Sequence, residues 1–283
     1  MSLRSELGDV RRKIISAAYR RPVALGSLGP IVTFTFDDFP RSALTVGAAI
    51  LESFGARATY YVSMSLMNTT NDLGEQFRIE DLFSLQDRGH ELANHTFSHL
   101  SARRVACDVF MQDVTKGEHA IRQGIGLPGS GNFAYPYGDV RLRVKRMLGP
   151  KLTSCRGTRG GLNGPDVDLN LLRANSLYGG VERADTAQRL IVENEGRRSW
   201  LIFYSHDVAQ RPSRFGCTPQ LLEAVCSFAN ARGARFMTVA DVMKELGQQP
   251  DVRLEGRLHA ENKTCGEEPV TYSIKGSVET CGQ

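Results

Sequence analysis

The chain has 283 residues, of which 41% are hydrophobic, and it carries a formal net charge of +4. This composition is typical of a globular protein that can bury a sizeable core. The charge is too small, and too little clustered, to indicate binding of nucleic acid. No run of about 18 apolar residues is present, so the sequence predicts no membrane-spanning helix.

The first predicted element is a basic amphipathic helix over residues 4–21. Apolar residues recur there at helical spacing, with arginines and a lysine around them. Two interpretations stay open, namely a helix packed across the main domain and a helix that contacts anionic lipid at a membrane surface. Residues 22–30 are rich in glycine and proline and are predicted to form a linker. Residues 1–30 are therefore treated as one N-terminal segment.

Strands and helices alternate from residue 31 to residue 248, which predicts an α/β domain with a parallel sheet or barrel. The predicted strands cover residues 31–36, 58–63, 90–93, 132–135, 152–155, 171–174, 200–205 and 235–238. The predicted helices cover residues 42–54, 78–88, 102–124, 139–148, 184–197, 218–232 and 239–246.

The pattern changes after residue 248, and residues 249–283 are predicted to form a small β-rich or partly ordered extension. Of the six cysteines, Cys265 and Cys281 lie in this extension and would be able to pair under oxidising conditions. The cysteines form no C-x-x-C motif, which argues against a structural zinc knuckle. With no secretion leader recognised, they predict a cytoplasmic protein, with contact at the inner membrane face as the alternative.

Two consecutive carboxylates and two histidines are the most informative chemical feature. Asp37 and Asp38 end the first long strand, and His95 and His99 follow a later one. Two histidines and one aspartate suffice to hold a catalytic metal, which leaves the second carboxylate as a base. On a helix, spacing i, i+4 would place both histidines on one face. The alternatives are an Asp-Asp loop that caps a helix and a chance pair of histidines.

Two further strand ends carry residues with chemical potential. The turn Pro136-Tyr137-Gly138 can direct a backbone N–H outward, where it would stabilise an oxyanion. His206 ends a buried-looking strand and suits acid–base chemistry near neutral pH. Each has a purely structural alternative, a simple turn and a hydrogen-bonded histidine. His90 has no partner at useful spacing and is interpreted as a structural histidine.

These segments, in this order, resemble the polysaccharide deacetylases of the NodB-homology type, carbohydrate esterase family 4. The resemblance covers about residues 32–243 and rests on T-F-D-D, H-x-x-x-H, P-Y-G and a strand that ends in histidine. It implies that residues 31–248 form a distorted (β/α)7-type barrel. It also implies a divalent metal, with zinc as the first expectation and cobalt, manganese or nickel as alternatives.

The resemblance also implies a role for each matched residue. Asp38, His95 and His99 would bind the metal. Asp37 would deprotonate the metal-bound water, and His206 would donate a proton to the departing amine. The metal and the backbone N–H of Tyr137 would hold the oxyanion.

The sequence departs from the family pattern at two positions. Ala134 stands where members commonly have an arginine that orients the catalytic aspartate. Arg156 and Arg159 are the two candidates to replace that arginine. Tyr204 stands where a small aliphatic residue often lines the acetyl pocket, which predicts an altered acyl pocket.

The expected function is metal-dependent removal of an N-acetyl group from an N-acetylated amino sugar or polysaccharide. The substrate partner would therefore be a carbohydrate that carries an N-acyl amino sugar. One alternative is hydrolysis of a non-sugar C–N bond, in a ureide or formamide, on the same fold. Another is a non-catalytic carbohydrate-binding homologue.

Overall fold

A curled sheet of parallel strands forms the centre of the protein. The computed structural model describes residues 11, 13–126 and 129–248. Its strands are β1 (Pro22–Ala24), β2 (Ile31–Asp37), β3 (Ala58–Val62), β4 (Thr70–Asn71), β5 (Gly74–Glu75), β6 (Glu91–Asn94), β7 (Asn132–Ala134), β8 (Ser154–Arg156), β9 (Asp166–Asp168), β10 (Asn175–Ser176), β11 (Trp200–Ser205) and β12 (Arg235–Phe236). The main sheet has the order β10-β11-β2-β3-β6-β7-β8, with β12 paired to β2, and all of its pairs are parallel.

The central strand β2 reads Ile-Val-Thr-Phe-Thr-Phe-Asp, and all of its residues are buried. Strands of parallel sheets that are covered on both faces show such continuous runs rather than a polar–apolar alternation. Its two threonines direct their hydroxyls to backbone carbonyls, Thr33 to Met237 at 2.7 Å and Thr35 to Phe203 at 3.0 Å. The strand therefore buries its polar groups with partners.

Backbone hydrogen bonds draw the two ends of the curled sheet towards each other. The amide of Leu172 donates to the carbonyl of Cys155 in β8, and the amide of Gly157 donates to the carbonyl of Leu172. The chain then continues into β10, which pairs with β11. The predicted distorted (β/α)7-type barrel is confirmed. The strand predicted at residues 171–174 is an irregular segment beside β8, and the regular pairing comes later, in β10.

Helices cover the outside of the sheet close to where the sequence predicts them. They are α1 (Ala49–Ser53), which continues a π-helix at Ala43–Ala48, α2 (Ile79–Asp87), α3 (Cys107–Ile125), α4 (Leu142–Leu148), α5 (Ala184–Arg197), α6 (Pro219–Ala231) and α7 (Val239–Glu245). The helix predicted from residue 102 was wrong at its start, because residues 102–106 form turns before α3 begins. None of the helices in the described part of the chain is long and apolar enough to cross a membrane.

The N-terminal segment is tied to the barrel. Residues 13–17 are helical, Lys145 donates from Nζ to the carbonyl of Ile15 at 3.1 Å, and Arg159 donates to Ser16 Oγ at 2.7 Å. These bonds support the interpretation of a helix packed across the main domain. The predicted extent of the helix to residue 21 was wrong, because the helix ends at residue 17. Within the predicted linker, Pro22–Ala24 form β1, which pairs with β9 in antiparallel register.

Two of the sequence predictions lie outside the described residues. These are the start of the N-terminal helix and the extension at 249–283, with Cys265 and Cys281. The four cysteines that the structure describes are free and buried.

Gly117 gives a test of how closely α3 packs against the loop after β6. A Cβ atom at this position would lie 2.5 Å from Asn94 Oδ1 and 2.8 Å from the backbone carbon of Thr96. We expect Gly117→Ala to lower the free energy of unfolding by about 1–3 kcal/mol, because a closely packed backbone must move. Chemical denaturation measures the change.

Gly124 in the same helix is the matched control. A Cβ atom there would meet only side-chain atoms at 3.5 Å or more. Alanine favours a helix over glycine by up to about 1 kcal/mol, so Gly124→Ala should leave stability unchanged or raise it. Equal effects of the two substitutions would contradict the close packing at Gly117.

Candidate metal centre and active site

The carboxyl ends of five strands bring the predicted residues to one edge of the sheet. In parallel α/β sheets and barrels this edge is where active sites assemble. The residues are Asp37 and Asp38 at the end of β2, His95 and His99 after β6, Tyr137 after β7, Arg156 at the end of β8 and His206 after β11.

A left-handed turn separates the two consecutive aspartates. Asp37 is the last residue of β2, whereas Asp38 and Phe39 have φ values of 65° and 69°. Such backbone conformations cost energy and persist when the surroundings enforce them. Phe39 is fully buried, and its ring stacks on Phe77 with the centroids 5.1 Å apart. The turn directs the two carboxylates to different partners.

The two histidines lie in a loop and not on a helix, so the i, i+4 spacing is not what brings them together. Thr96 and His99 have φ values of 63° and 52°, which no α-helix contains. Side-chain contacts hold the loop, since Asp113 of α3 accepts from the amide and the hydroxyl of Ser98 at 2.9 Å each. The histidines converge through this turn rather than through helical spacing.

Asp38, His95 and His99 form a cluster with the geometry of metal ligands. Their ligand atoms all lie within 4.8 Å of one another. Asp38 Oδ1 is 3.0 Å from His99 Nε2 and 3.5 Å from His95 Nε2. This oxygen is buried and has no hydrogen bond in favourable geometry within the described residues. A buried carboxylate oxygen between two imidazole nitrogens fits a divalent cation such as Zn²⁺.

Hydrogen bonds to the outer nitrogens orient both imidazoles. His95 Nδ1 lies 2.8 Å from the carbonyl oxygen of Ala134, and His99 Nδ1 lies 3.1 Å from the hydroxyl of Tyr137. A carbonyl only accepts, so Nδ1 of neutral His95 carries the proton and the lone pair of Nε2 is directed towards Asp38. Such outer partners fix the tautomer of metal-binding histidines.

Burial and neighbouring charges set the protonation states of the cluster. Burial raises the pKa of Asp38, but His99, His95 and His206 together outweigh it and hold that pKa well below its usual value. Burial lowers the pKa of His95 to about 4. At neutral pH the aspartate is therefore ionised and His95 is neutral, as metal binding requires.

Asp37 forms a buried ion pair with Arg156. Arg156 Nη2 donates to Asp37 Oδ1 at 2.5 Å, and the arginine side chain is fully buried. Its guanidinium lies over the rings of Tyr61 and Tyr204, 4.8 and 5.3 Å from their centroids. Burial lowers the pKa of Arg156, but Asp37 and Tyr61 more than offset this and raise it overall.

Arg156, and not Arg159, is thus the arginine that contacts Asp37. Strands β7 and β8 pair with Ala134 opposite Arg156. The arginine therefore stands one strand away from the position where the sequence resemblance expects it, at the same height in the sheet. Arg159 instead donates to Ser16 Oγ.

His206 and Tyr137 lie on opposite sides of the cluster. His206 Nδ1 is 3.1 Å from the carbonyl oxygen of Phe215, which leaves Nε2 available for proton transfer. Tyr137 has a φ of 60°, and the amides of the next two residues donate to the carbonyls of Tyr135 and Pro136. Its ring lies 4.5 Å from that of His99.

A cluster of three aromatic residues lies beside His206, and the sequence analysis singled out only one of them, Tyr204. Tyr178 contacts the rings of Tyr204 at 5.5 Å, Phe215 at 5.9 Å and His206 at 6.1 Å. Tyr204 lies in β11, two residues before His206, which follows the strand. Because side chains alternate along a strand, this spacing indicates that Tyr204 faces the same side as His206. Tyr178 and Phe215 lie in loops, where no periodic pattern marks them.

His90 is structural, as predicted. Its Nδ1 accepts the amide hydrogen of Ala58 at 3.0 Å, and its Nε2 lies 2.8 Å from Glu52 Oε1. It precedes β6, at the opposite end of that strand from His95.

The low pKa of His95 predicts a pH-dependent stability of the metal-free protein. Because the folded-state pKa is about 4 and the ordinary value is about 6.5, the unfolded chain takes up the proton first as the pH falls. The free energy of unfolding should drop by about 3 kcal/mol more in wild type than in His95→Gln between pH 6.5 and pH 4. Denaturation after chelation measures this, with exposed His119→Gln as control, and parallel curves for wild type and His95→Gln would refute it.

Comparison with known proteins agrees with this arrangement. Residues 27–149, which contain both aspartates and both histidines of the site, match the sequence profile named "Polysaccharide deacetylase". A comparison with curated proteins gives no significant match.

Three similar solved structures share the fold. The chitin deacetylase from Colletotrichum lindemuthianum is 17% identical, with a TM-score of 0.55, over 79% of this chain and 90% of that one. The Bc1960 peptidoglycan N-acetylglucosamine deacetylase is 17% identical, with a TM-score of 0.54, over 82% and 96%. A family 4 acetyl xylan esterase from Clostridium thermocellum, in complex with a cobalt ion, is 19% identical, with a TM-score of 0.53, over 79% and 96%. At these identities the structures support the fold alone, and over residues 27–149 the chain is similar in sequence to the polysaccharide deacetylases.

Proposed function

We propose that the protein is a metal-dependent hydrolase that removes an N-acetyl group from an N-acetylated amino sugar or polysaccharide. The observation that carries this proposal is the Asp38–His95–His99 cluster beside the buried Asp37–Arg156 pair. Two of the similar structures are, by name, deacetylases of chitin and of peptidoglycan N-acetylglucosamine. The acetylated amino sugar is the feature that those two substrates share.

Asp38, His95 and His99 would hold the metal. The mixed oxygen and nitrogen donors favour zinc, with cobalt, manganese and nickel as alternatives. A divalent ion bound there would polarise the acyl carbonyl and lower the pKa of water.

Two residues around this cluster each carry out one proton transfer. Asp37 accepts a proton from the attacking water, whose oxygen bonds to the acyl carbon. The amide N–H of Tyr137 donates to the carbonyl oxygen as negative charge develops there. His206 donates a proton to the amine nitrogen as the C–N bond breaks, which releases acetate and the free amine.

Arg156 is a positioning residue in this scheme. Its bond to Asp37 Oδ1 and its second bond, to the carbonyl of Gly157 at 3.1 Å, fix where the base lies. Positioning of this kind supports proton transfer because a small displacement of a catalytic group can cost about 10²-fold in rate.

Location and membrane contact stay predictions. The described part of the N-terminal helix packs on the barrel, yet Ile14 is 51% exposed and adjoins a groove lined by arginines, among them Arg11 and Arg146. Binding of the full chain to anionic liposomes, lost on removal of residues 1–20, would support peripheral contact. A cytoplasmic location is the companion prediction.

Metal analysis combined with acetate release tests the proposed function. Wild type loaded with zinc or cobalt should release acetate from N-acetylglucosamine oligomers. Asp37→Asn should keep about the same metal content and lose about 10²–10⁴-fold in turnover, because only the base is removed.

The alternatives give different results in the same assay. Turnover of ureides or formamides without acetate release would favour a non-sugar amidase on this fold. Oligosaccharide binding without bound metal and without turnover would favour a non-catalytic carbohydrate-binding protein.

The role of Arg156 has a matched control in Arg159. We expect Arg156→Gln to lower kcat by about 10–100-fold with a smaller change in KM. The reason is that Asp37 loses the hydrogen bond that fixes its position. Arg159→Gln, which removes a cation that does not contact Asp37, should change neither.

Metal content and melting temperature of both variants separate this role from a loss of structure. If Arg156→Gln retains its fold, its metal and the kcat of wild type, Arg156 does not act through Asp37.

A further inference from the structure

Two arginines beside the active site lie over aromatic rings and have no acidic partner. Arg104 lies over the ring of Tyr137, 5.8 Å from its centroid, and Arg214 lies over the ring of Phe215 at 4.4 Å. Both arginines are exposed. Across the described ranges, neither forms an ion pair within 4.0 Å.

Each ring also contacts a histidine of the site. The Tyr137 ring is 4.5 Å from that of His99, and the Phe215 ring is 5.6 Å from that of His206. His99 and His206 belong to loops after β6 and β11, on either side of β2 in the sheet. The two guanidinium groups therefore flank the reaction centre from two directions.

The nearby carboxylates are already engaged. Asp139 accepts from Ser101 Oγ at 2.6 Å and lies 3.5 Å from Arg103. Asp207 accepts the amide of Ser213 at 2.8 Å and its hydroxyl at 2.5 Å. Among the described residues, neither Asp139 nor Asp207 forms an ion pair with Arg104 or Arg214.

Some exposed arginines on the barrel pair with acidic neighbours, such as Arg232 with Glu195 at 2.5 Å and Arg235 with Glu245 at 2.6 Å. Others, such as Arg189, have no ion pair among the described residues. What distinguishes Arg104 and Arg214 is that each lies over an aromatic ring that contacts a histidine of the site.

We propose that the substrate is an anionic glycan whose carboxylate or phosphate groups, next to the reacting N-acyl amino sugar, bind Arg104 and Arg214. The proposal rests on the proposed function and specifies its substrate class. An arginine that lies on an aromatic face keeps its planar fork oriented, with its N–H groups directed outward. That fork binds carboxylate and phosphate through paired hydrogen bonds.

Binding measured without turnover tests the proposal independently of catalysis. Isothermal titration of the full chain would compare neutral chitohexaose with hyaluronan hexasaccharide, which supplies carboxylates, and with N-acetylglucosamine 1-phosphate, which supplies a phosphate. At low salt, at least one anionic ligand should bind about tenfold more tightly than chitohexaose. Addition of 300 mM NaCl should remove most of this difference by screening.

Variants locate the effect. Arg104→Gln and Arg214→Gln should each weaken binding of the anionic ligand by about 3–10-fold, as expected for partly exposed charge-assisted contacts. Neither should alter binding of chitohexaose. The control is Arg189→Gln on the outer side of α5, an exposed arginine that bonds only to Thr186 Oγ1, at 3.2 Å.

Preference for hyaluronan alone identifies a carboxylate, and preference for the sugar phosphate alone identifies a phosphate. Equal affinity for neutral and anionic ligands at low salt overturns the proposal, as does an anionic preference that both arginine variants retain. Acetate release from chitohexaose by the same preparation reports on the proposed function alone, so the two failures are distinguishable.

Discussion

The buried ion pair between Asp37 and Arg156 constrains the whole barrel. The two residues end β2 and β8, which are separated in the sheet by β3, β6 and β7. A 2.5 Å contact between them spans the interior, so it exists only because the sheet curls. Removal of either partner would leave a buried charge without its counter-charge, which typically costs about 3–5 kcal/mol. The position of Asp37 against Arg156 therefore depends on the curvature of the sheet.

The same curvature explains how this site is built with alanine at position 134. Ala134 and Arg156 are register partners on adjacent strands. Exchange of the arginine between them moves its backbone origin sideways by one strand spacing, about 4.8 Å, a distance that a long side chain can span. The carbonyl of Ala134 meanwhile fixes His95, and this backbone contact does not depend on the side chain at that position. With alanine at position 134, β7 supplies no arginine side chain, but its backbone carbonyl still holds His95.

The periodic pattern of the sequence predicts most of the strands and helices. It does not predict the loops and strand register that form the site. Strand β2 and helix α5 were predicted to within one residue, because burial imposes regular patterns on such elements. The pairing of β7 with β8 was not predictable, because register depends on contacts between distant segments. The choice between Arg156 and Arg159 depended on that register. Their spacing along the chain therefore left both candidates open.

Several residues in the loops of the candidate site have backbone conformations that their residue types rarely adopt. Eight described residues other than glycine have positive φ, and five of them lie in the loops that build the site: Asp38, Phe39, Thr96, His99 and Tyr137. At these turns the chain departs from regular strand or helix geometry beside the candidate ligands Asp38, His95 and His99. The i, i+4 spacing of His95 and His99 would place them on one face of a helix, whereas the structure brings the two rings together through a loop.

Packing must hold turns that the local sequence does not favour. Phe39, buried against Phe77, anchors the turn at Asp38, while Gly117 lets α3 approach the histidine loop. Neither side chain supplies a candidate ligand, yet each position affects where one lies. Because these supports come from other elements, the geometry of the site depends on completion of the fold. A segment that contains only the site motifs would not be expected to form the cluster.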